Sequence, residues 1–381
     1  MRIAVPRETT PGERRIALTP DAAAALAKSG PEVIVEAGAG EGAFYPDAAF
    51  ETAGARIVPD ASTLYGQADV VLKVQKPTLA EVDRLREGAV LVSFLQALNS
   101  PDLVQRLAAR RITSFGMEGI PRISRAQKMD ALSSQANISG YKAVLIAAES
   151  LAKFFPMMMT AAGTVFAARV LVMGAGVAGL QALATARRLG AQVWGYDVRA
   201  VVKEQVESLG AKFLELDLGV ADAEDKGGYA KALTADAARR QQELLAEKTK
   251  DFDVVITTAL VPGRAAPRLV TAETVRGMRP GSVIVDLAAE AGGNCELTEP
   301  DKVVVTGGVT IHGPTNLPAT MPVHASQLYA RNVTELVREF VKGGALALSL
   351  EDEVLKGACV THAGEIVNEA VKATVAARKT A

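Results

Sequence analysis

A glycine-rich turn near the middle of the chain has the spacing of a phosphate-binding loop. An apolar run at 170–173 precedes it, a helical pattern at 180–186 follows it, and its own residues are Gly174, Ala175, Gly176, Val177, Ala178 and Gly179. This motif is weak evidence alone, and a strand before it and a helix after it are the context that it requires. The three glycines permit a tight turn, a close approach of backbone N–H groups to a pyrophosphate, and close packing of helix on strand. We therefore predict a dinucleotide-binding loop; the alternative is a glycine-rich turn in an α/β protein that binds no nucleotide.

The residues after the next predicted strand indicate which dinucleotide the loop would accept. Asp197 follows that strand, about 20 residues beyond the loop, where a carboxylate accepts hydrogen bonds from the adenosine ribose hydroxyls. The same negative charge would repel a 2′-phosphate, so NAD(H) is predicted in preference to NADP(H), although the nearby Arg199 weakens that preference. The candidate nucleotide-binding residues here are Gly174, Gly176, Val177, Ala178, Gly179, Asp197, Val198 and Arg199.

A second candidate site lies in a polar segment at 121–137, which holds many different hydrogen-bonding side chains in a short stretch. A nicotinamide ring needs its carboxamide held by donors and acceptors, so that one face of C4 is presented to the other reactant. The side chains that offer this mixture are those of Arg122, Gln127, Asp130 and Ser133. The alternative is a polar, solvated loop in which an Asp and a Ser cap a helix.

Composition argues against several other functions. The 42 Lys and Arg residues nearly balance the 43 Asp and Glu residues, and no basic block is interleaved with aromatic residues, so nucleic acid is not an expected partner. Cys295 and Cys359 lie far apart without metal-ligand spacing, so we expect neither a metal site nor a disulfide framework, and a reducing compartment fits. No secretory signal is recognisable. The most apolar stretch, 154–168, contains Pro156 and is shorter than the roughly 20 residues of a membrane span, so the chain is not expected to cross a membrane by itself.

Short β-branched runs alternate with helical patterns in two successive parts of the chain, which predicts an α/β fold. We expect two Rossmann-like domains with parallel sheets, the first discontinuous, separated by a cleft. The N-terminal domain is predicted at 1–136 plus 325–381. The NAD(H)-binding domain is predicted at 137–324, and it includes a connecting helix over 138–155 that Pro156 stops.

The second half of the chain carries three further expectations. The parallel strands of the second domain continue as far as 303–305, and a helix at 325–341 then returns to the first domain. A charged helix is predicted at 234–248. Before it, the loop at 222–230 contains a glycine pair that gives the backbone freedom, and is either a solvated surface excursion or a mobile flap.

Three longer segments, 122–142, 174–197 and 285–294, resemble the NAD(H)-binding component of proton-translocating nicotinamide nucleotide transhydrogenase. The residues at 6–8 and 13–20 are shared by that family and its relative, alanine dehydrogenase. The resemblance covers essentially the whole chain, and its motifs are long and specific. Both relatives bind NAD in the same kind of fold, so the fold alone does not choose between them.

Two glutamines distinguish these relatives. An amino-acid dehydrogenase moves a proton and binds a carboxylate while it moves the hydride, so it needs a general acid/base and a cationic anchor. In the alanine dehydrogenases a histidine follows a Phe-Leu pair and the substrate lysine is the second in a Lys-x-Lys-x-Pro run; this chain has Gln96 and Gln75 there, although Arg15 remains. Direct hydride transfer between two nicotinamide rings moves no proton at the reacting centre, so these losses favour a transhydrogenase. The remaining histidines are expected at surface or hydrogen-bonded positions and receive no catalytic role: His312, His324 and His362.

The resemblance also implies roles for individual residues of the polar segment. Arg122 would hold the nicotinamide carboxamide, and Asp130 and Ser133 would fix the orientation of the ring. Gln127 would bridge towards the second nucleotide.

The same resemblance implies a larger assembly. Tyr229 matches the tyrosine of the family's mobile loop, which folds over bound nucleotide, and Ala230 beside it completes the predicted nucleotide-binding residues. NADP(H) would bind to a partner subunit, a membrane-spanning subunit would couple the transfer to proton movement, and this chain would form a homodimer on the cytoplasmic face of the inner membrane. Some family members continue into membrane helices, whereas this sequence stops at Ala381, so either a split enzyme or a shortened chain is expected. The alternative functions are an alanine-dehydrogenase-like enzyme and a non-catalytic NAD(H)-binding protein.

Overall fold

The computed structural model describes residues 1–217, 233–261 and 263–379. The chain forms two compact units, the first comprising Met1–Gln135 and Pro318–Ala381, the second Ala136–Leu317. The strands are β1 (Arg2–Val5), β2 (Glu32–Glu36), β3 (Arg56–Val58), β4 (Val70–Leu72), β5 (Val90–Ser93), β6 (Thr113–Gly116), β7 (Met158–Thr160), β8 (Gly163–Val165), β9 (Arg169–Met173), β10 (Gln192–Tyr196), β11 (Lys212–Phe213), β12 (Val254–Thr257), β13 (Val283–Asp286), β14 (Val303–Thr306), β15 (Val309–His312), β16 (Val341–Lys342), β17 (Ala345–Leu346), β18 (Cys359–His362) and β19 (Glu365–Ile366).

The α-helices, in the same order, are α1 (Pro20–Ala27), α2 (Asp47–Thr52), α3 (Ala61–Gln67), α4 (Leu79–Arg84), α5 (Pro101–Ala109), α6 (Ala131–Ser150), α7 (Val177–Arg188), α8 (Lys203–Ser208), α9 (Ala235–Thr249), α10 (Ala272–Gly277), α11 (Pro322–Phe340), α12 (Glu353–Ala358) and α13 (Glu369–Lys379). A short 3-10 helix, Ser124–Met129, precedes α6. Local signals explain several helix starts. Thr19 caps α1 with Pro20 in its first turn, and Thr234 caps α9, whose bounds lie within one residue of the predicted 234–248.

The first unit is built on one sheet with the strand order β19-β18-β6-β5-β4-β1-β2-β3. Strands β1 to β6 are parallel and follow the doubly wound order of Rossmann-type folds, while β18 and β19 extend the β6 edge in antiparallel fashion. Successive residues of β1 serve opposite cores, since Ile3 and Val5 pack with α1 and α11, whereas Ala4 packs with α3 and α5. Helices on both faces explain why these strands are apolar throughout.

The second unit repeats the doubly wound order, with its sheet arranged β11-β10-β9-β12-β13-β15-β14. In β9, Val170 and Val172 face the core shared with α6 and α7, whereas Leu171 and Met173 face the core on the other side of the sheet. The parallel strands β9, β10, β12 and β13 therefore end at one edge, where ligands of such sheets bind. The predicted fold class, two Rossmann-like α/β domains, is confirmed.

The predicted last parallel strand of this unit was misassigned. Residues 303–305 form β14, which pairs antiparallel with β15, and it is β15 that continues the parallel set beside β13. Gly307 and Gly308 have φ of 61° and 80° and form the two-residue turn between the strands. Two left-handed residues favour a tight hairpin, whereas the sequence pattern was interpreted only as a change to a Gly/Pro-rich stretch.

The connecting helix is also displaced from its predicted bounds of 138–155. Helix α6 begins at Ala131 and ends at Ser150, five residues before Phe155, so Pro156 is not what ends it. The helix begins early because the carboxylate of Asp130 accepts the backbone N–H of Ser133 at 2.8 Å, which satisfies a free donor of the first turn. The boundary between the two units falls within this helix.

A two-stranded hairpin of β7 and β8 stands apart from both large sheets, and it was not predicted from the sequence. Its strand residues are exposed on both sides. Among residues 1–217, 233–261 and 263–379, no helix combines the length and the apolar character needed to span a bilayer.

Candidate functional site

The glycine-rich loop joins the end of β9 to the start of α7 at the carboxyl edge of the second unit's sheet. Gly174 has φ of 99°, and a Cβ there would lie 2.6 Å from the Thr258 hydroxyl oxygen. A Cβ on Gly179 would lie 1.8 Å from the carbonyl oxygen of Gly174, so the helix could not approach the strand with any larger residue. These two glycines are required by the chain's own packing.

Gly176 differs from its two neighbours in the motif. A Cβ at this position would meet no atom within 4 Å, so its surroundings are open. Gly176 also precedes the first turn of α7 and makes no side-chain cap, and Val177 beside it is 39% exposed. Open backbone at a helix N-terminus accepts phosphate oxygens, so the loop fits the pyrophosphate of a dinucleotide.

Helix α6 packs directly on this loop through a glycine that was not singled out from the sequence. A Cβ on Gly140 would lie 2.0 Å from the carbonyl oxygen of Ala178. Close by, the Asn137 amide donates to the side chain of Gln181 at 3.1 Å. Glycine inside a helix costs about 1 kcal/mol relative to alanine, so a glycine in this helical pattern was a signal of close packing.

Asp197 lies at the end of the neighbouring strand β10, as predicted, and its side chain reaches back to the loop. Its carboxylate accepts the N–H of Ala175 at 2.8 Å and the backbone N–H of Arg199 at 2.9 Å. The guanidinium of Arg199 adds two contacts, at 3.0 and 2.9 Å. Val198 between them is half-buried. The sequence placed Asp197 and Arg199 near each other but did not indicate that they form a bidentate ion pair.

A buried carboxylate on β13 organises the far side of this edge. Asp286 accepts the hydroxyls of Thr257 at 2.9 Å and Thr298 at 2.7 Å, and the backbone N–H groups of Ala288 and Cys295. It thereby holds the turn that follows β13 against the end of β12. The next residue along that strand edge, Thr258, donates its hydroxyl to the carbonyl of Gly174 at 2.9 Å, so this network reaches the phosphate loop.

The polar segment of the first unit forms the Ser124–Met129 helical turn and the first turn of α6. Asp130 and Ser133 are brought together, since the Ser133 hydroxyl donates to the Asp130 carboxylate at 2.6 Å. Both side chains are half-buried, whereas Arg122 and Gln127 are exposed on the same segment. The alternative interpretation of an Asp/Ser helix cap therefore describes Asp130 and Ser133 correctly, and it does not conflict with an additional nucleotide-binding role for them.

Helix α11 holds this segment in place, through a residue that was not singled out from the sequence. The Asn332 side chain donates to the backbone carbonyl of Lys128 at 2.8 Å and accepts the Ser134 hydroxyl at 2.7 Å. Arg125 adds an ion pair with Asp352 at 2.9 Å. No local signal reveals Asn332, because its partners lie about 200 residues away in sequence.

The positions that distinguish the two relatives lie in the first unit. Gln75 donates to the carboxylate of Glu13 at 2.8 Å, while Gln96 is exposed and has φ of 49°. Glu13 also forms a buried ion pair with Arg15 at 2.6 Å. Burial by itself would raise the pKa of Glu13, but hydrogen bonds from Arg15 and Gln75 lower it to about 2. Arg15 is therefore already paired with a carboxylate of its own chain.

Lys73, next to this pair in sequence, is buried between two carboxylates. Its ammonium lies 2.9 Å from Glu81 and 3.3 Å from Glu8. Burial would lower the pKa of Lys73, but the two carboxylates together raise it; burial also raises the pKa of Glu8. The hydroxyl of Tyr65 donates to Glu81, which completes a polar cluster inside the first unit.

The remaining predicted positions carry no site chemistry in the structure. Tyr229 and Ala230 lie outside the described residues. His312 and His362 have hydroxyl partners, Ser150 at 2.8 Å and Thr113 at 3.1 Å, and His324 is exposed. Within the described part of the chain, no three His, Cys, Asp or Glu side chains gather as a metal site would require.

Two doubly wound units, with an open glycine loop on the second, define a Rossmann-type dinucleotide-binding protein. The family model described as alanine dehydrogenase/PNT, N-terminal domain, matches residues 4–139, and that of the C-terminal domain matches residues 143–369. The chain therefore belongs to the alanine dehydrogenase/PNT family.

Within this family, the chain is more similar to transhydrogenases than to alanine dehydrogenases. It is 51% identical to an NAD(P) transhydrogenase subunit alpha protein of Rhodospirillum rubrum, over 97% of this chain and 99% of that protein. A solved transhydrogenase structure from Sinorhizobium meliloti is 46% identical and superimposes with a TM-score of 0.87, covering 96% of this chain and 100% of that one. Identity to the alanine dehydrogenase of Halomonas elongata is 33%, over 97% of this chain and 96% of that protein. The resemblance predicted from the motifs is confirmed.

Proposed function

We propose that this chain is the NAD(H)-binding subunit of a proton-translocating transhydrogenase. The observation that carries the proposal is 51% identity along the whole length to a transhydrogenase alpha subunit. In the proposed reaction, NADH bound to this chain gives a hydride from its C4 to C4 of NADP⁺ on a partner subunit. NADH is thereby oxidised to NAD⁺ and NADP⁺ is reduced to NADPH, so no third reactant is needed.

The chain's own contribution is to bind and orient the nucleotide. The backbone at Gly176 receives the pyrophosphate, since it is open and lies at the start of α7. Asp197 and the residues beside it serve the adenosine ribose. We assign the nicotinamide carboxamide to Arg122, with Asp130 and Ser133 fixing the ring orientation. Reacting atoms must be held about 3–3.5 Å apart and aligned, so such positioning is the main catalytic contribution that direct hydride transfer needs.

Further roles concern the second nucleotide and the closure of the site. Gln127 is assigned the contact towards the NADP(H) side; its exposed amide is accessible to a partner. Tyr229 and Ala230 belong to the segment that we expect to fold over bound NAD(H). These roles follow the resemblance to the family, and substitution of Gln127 tests them.

An alanine-dehydrogenase-like activity is less well supported. Such an enzyme needs a proton donor and a free cation for the substrate carboxylate. Gln96 cannot donate a proton in that way, and Gln75 is engaged with Glu13. The cationic side chain that remains, Arg15, is paired with Glu13 at 2.6 Å. A non-catalytic NAD(H)-binding protein is the remaining alternative.

We further propose that the chain forms a homodimer, with the β7–β8 hairpin as a contact between copies. The hairpin and its flanks expose large apolar side chains, including Met159 at 80% and Phe166 at 76%. A contiguous apolar patch of this kind marks an interface in most proteins. A second copy is the occupant we choose because the hairpin's strands have open edges that a symmetry-related hairpin can complete. Sedimentation of wild type and Phe166→Ser should show a dimer and a monomer, respectively.

The other partners follow from the proposed reaction. An NADP(H)-binding subunit accepts the hydride, and a membrane-spanning subunit couples the transfer to proton movement. The chain would then act on the cytoplasmic face of the inner membrane, attached through these subunits.

The reaction itself is the first experiment. The chain is mixed with a purified NADP(H)-binding transhydrogenase subunit, and reduction of an NAD⁺ analogue by NADPH is followed. Transfer that requires both proteins supports the proposal. It should fall in Gln127→Asn but persist in Gln192→Asn, because Gln192 is an exposed residue at the start of β10, remote from the loop edge of that sheet.

Two other results would overturn the assignment. Oxidation of NADH that depends on pyruvate and ammonia would identify an alanine-dehydrogenase-like enzyme. Tight NADH binding without hydride transfer to a demonstrably active partner would leave the non-catalytic binding protein.

A further inference from the structure

The acceptor positions of Asp197 are all filled by donors of its own chain. One carboxylate oxygen, Oδ1, accepts the backbone N–H and the Nε–H of Arg199 at 2.9 and 3.0 Å. The other, Oδ2, accepts the N–H of Ala175 at 2.8 Å and the Nη2–H of Arg199 at 2.9 Å. An ionised carboxylate offers about four acceptor sites, so none is left for the ribose hydroxyls that Asp197 is predicted to bind.

These four hydrogen bonds are not equivalent. Two come from the backbone and are fixed by the loop and by the turn after β10. The other two come from the guanidinium of Arg199, which only side-chain torsions hold in place. The fork of a guanidinium presents two parallel donors, as do the two adjacent hydroxyls of a ribose. The Arg199 side chain thus occupies the positions on Asp197 that a ribose would take.

The pair is also well sheltered from solvent. The side chain of Asp197 is 6% exposed and that of Arg199 14% exposed. A charge-assisted, bidentate pair in such surroundings is stronger than a surface ion pair, so a ligand must compensate its loss. Ribose hydroxyls can do so because they donate to the same carboxylate.

A 2′-phosphate meets a different situation. It cannot donate to Asp197, and its negative charge lies next to the carboxylate if Arg199 turns towards it. One cation then faces two anionic groups. An arginine near this position otherwise accommodates a 2′-phosphate, so the charge of Asp197 decides whether Arg199 is available.

We propose that Arg199 is a specificity-determining residue whose guanidinium occupies the ribose positions of Asp197, is displaced by NAD(H), and is withheld from NADP(H). This inference rests on the proposed function, since it requires NAD(H) at the glycine loop. It adds a selection mechanism: the same ion pair that admits a ribose denies a 2′-phosphate its counter-charge.

The test measures equilibrium binding of NADH and NADPH to the full chain by isothermal titration calorimetry. Wild type binds NADH and discriminates against NADPH. Asp197→Asn keeps an oxygen for the Ala175 N–H but removes the charge that holds Arg199. It should bind NADH about tenfold more weakly and NADPH about tenfold more tightly, the scale of one charge-assisted hydrogen bond.

Two further variants separate the roles of the pair. Arg199→Ala leaves Asp197 open, so NADH should bind at least as tightly as to wild type while NADPH remains excluded. In the double variant Asp197→Asn with Arg199→Ala, the gain in NADPH binding should disappear, because the cation that supplied it is gone. The gain in the single variant should also fall steeply with salt concentration.

Each contrary result has a distinct meaning. Wild type that fails to bind NADH would overturn the proposed function and this inference with it. Wild type that binds NADH, combined with no NADPH gain in either Asp197→Asn or Asp197→Ala, would overturn the inference alone. The inference also fails if the gain survives in the double variant, or if Arg199→Ala weakens NADH binding about tenfold.

Discussion

The side-chain amide of Asn294 binds both backbone groups of Ala259. Its oxygen accepts the Ala259 N–H at 2.9 Å, and its nitrogen donates to the Ala259 carbonyl at 2.9 Å and to the Pro267 carbonyl at 2.8 Å. Asn294 is fully buried. Ala259 follows Thr258, the residue that bonds Gly174, so one amide positions the wall against which the phosphate loop turns.

This relationship predicts a large effect of Asn294→Asp. The substitution replaces an NH₂ donor by an oxygen that faces two carbonyl oxygens in a buried place. We expect the free energy of unfolding of the second unit to fall by about 2–4 kcal/mol, and NADH binding to weaken. The chain's single tryptophan, Trp194 on β10, reports on this unit by fluorescence during urea unfolding.

Asn99→Asp is the matched control, because Asn99 is exposed. It should change stability by less than about 0.5 kcal/mol. Equal, small effects of both substitutions would contradict the positioning role of Asn294.

The contact between Gly140 and the loop predicts that Gly140→Ala impairs nucleotide binding. The added methyl group would lie 2.0 Å from the Ala178 carbonyl oxygen, so α6 or the start of α7 must shift. We expect a loss of about 1–3 kcal/mol of stability and weaker NADH binding, despite the higher helix propensity of alanine. Calorimetry with NADH and Trp194 fluorescence measure the two effects.

Gly66→Ala tests the opposite case in α3. A Cβ at Gly66 meets no atom within 4 Å, so the substitution should stabilise the first unit by about 0.4–1 kcal/mol and leave NADH binding unchanged. If Gly140→Ala were equally stabilising, the close approach of α6 to the loop would be wrong.

The buried lysine predicts a strong asymmetry between two neighbouring positions. Lys73→Met removes the cation that faces Glu8 and Glu81 and leaves two buried carboxylates together. We expect the free energy of unfolding to fall by about 3–5 kcal/mol, measured by urea titration followed with far-UV circular dichroism. The exposed Lys76 offers the comparison, and Lys76→Met should lie within about 0.5 kcal/mol of wild type. Similar losses at the two positions would argue against the buried cluster.

The ion pair of Glu13 predicts a pH dependence. Its pKa in the folded chain, about 2, lies below the ordinary value of 4.5, so the ionised form stabilises the fold. This contribution is complete above about pH 4.5 and is lost as the pH falls towards 2. Between those limits, wild type should lose on the order of 3 kcal/mol more stability than Glu13→Gln, which has no such group to titrate.

Hydrogen exchange of the peptides that cover β1 and β2 measures this loss within the first unit. Glu32→Gln serves for comparison, because Glu32 also pairs with arginines but is exposed to solvent. Its profile should follow that of wild type. A Glu13→Gln profile parallel to wild type across the same window would show that the Glu13 carboxylate does not stabilise the fold.

Much of the candidate site was predictable because its signals are local. The glycine loop lies between an apolar strand and a helix, and Asp197 follows the next strand, so their places on β9, α7 and β10 follow from short-range periodicity and turn geometry. Gly140, by contrast, gave a signal that was visible but not used. Asn332 gave none, since its partners are distant in the chain.

The alternation of short apolar strands and helices determines, by itself, the doubly wound class of both units, because only a parallel sheet covered on both faces buries such strands. The sequence likewise determines where phosphate can approach, since Gly174 and Gly179 permit a backbone path that other residues would block. Only the tertiary structure decided which strand joins the parallel set after β13, that Lys73 is buried between Glu8 and Glu81, and that Arg199 fills the acceptor sites of Asp197. Those outcomes depend on packing and on competition among side chains for the same partners, and spacing along the chain carries no information about which partner prevails.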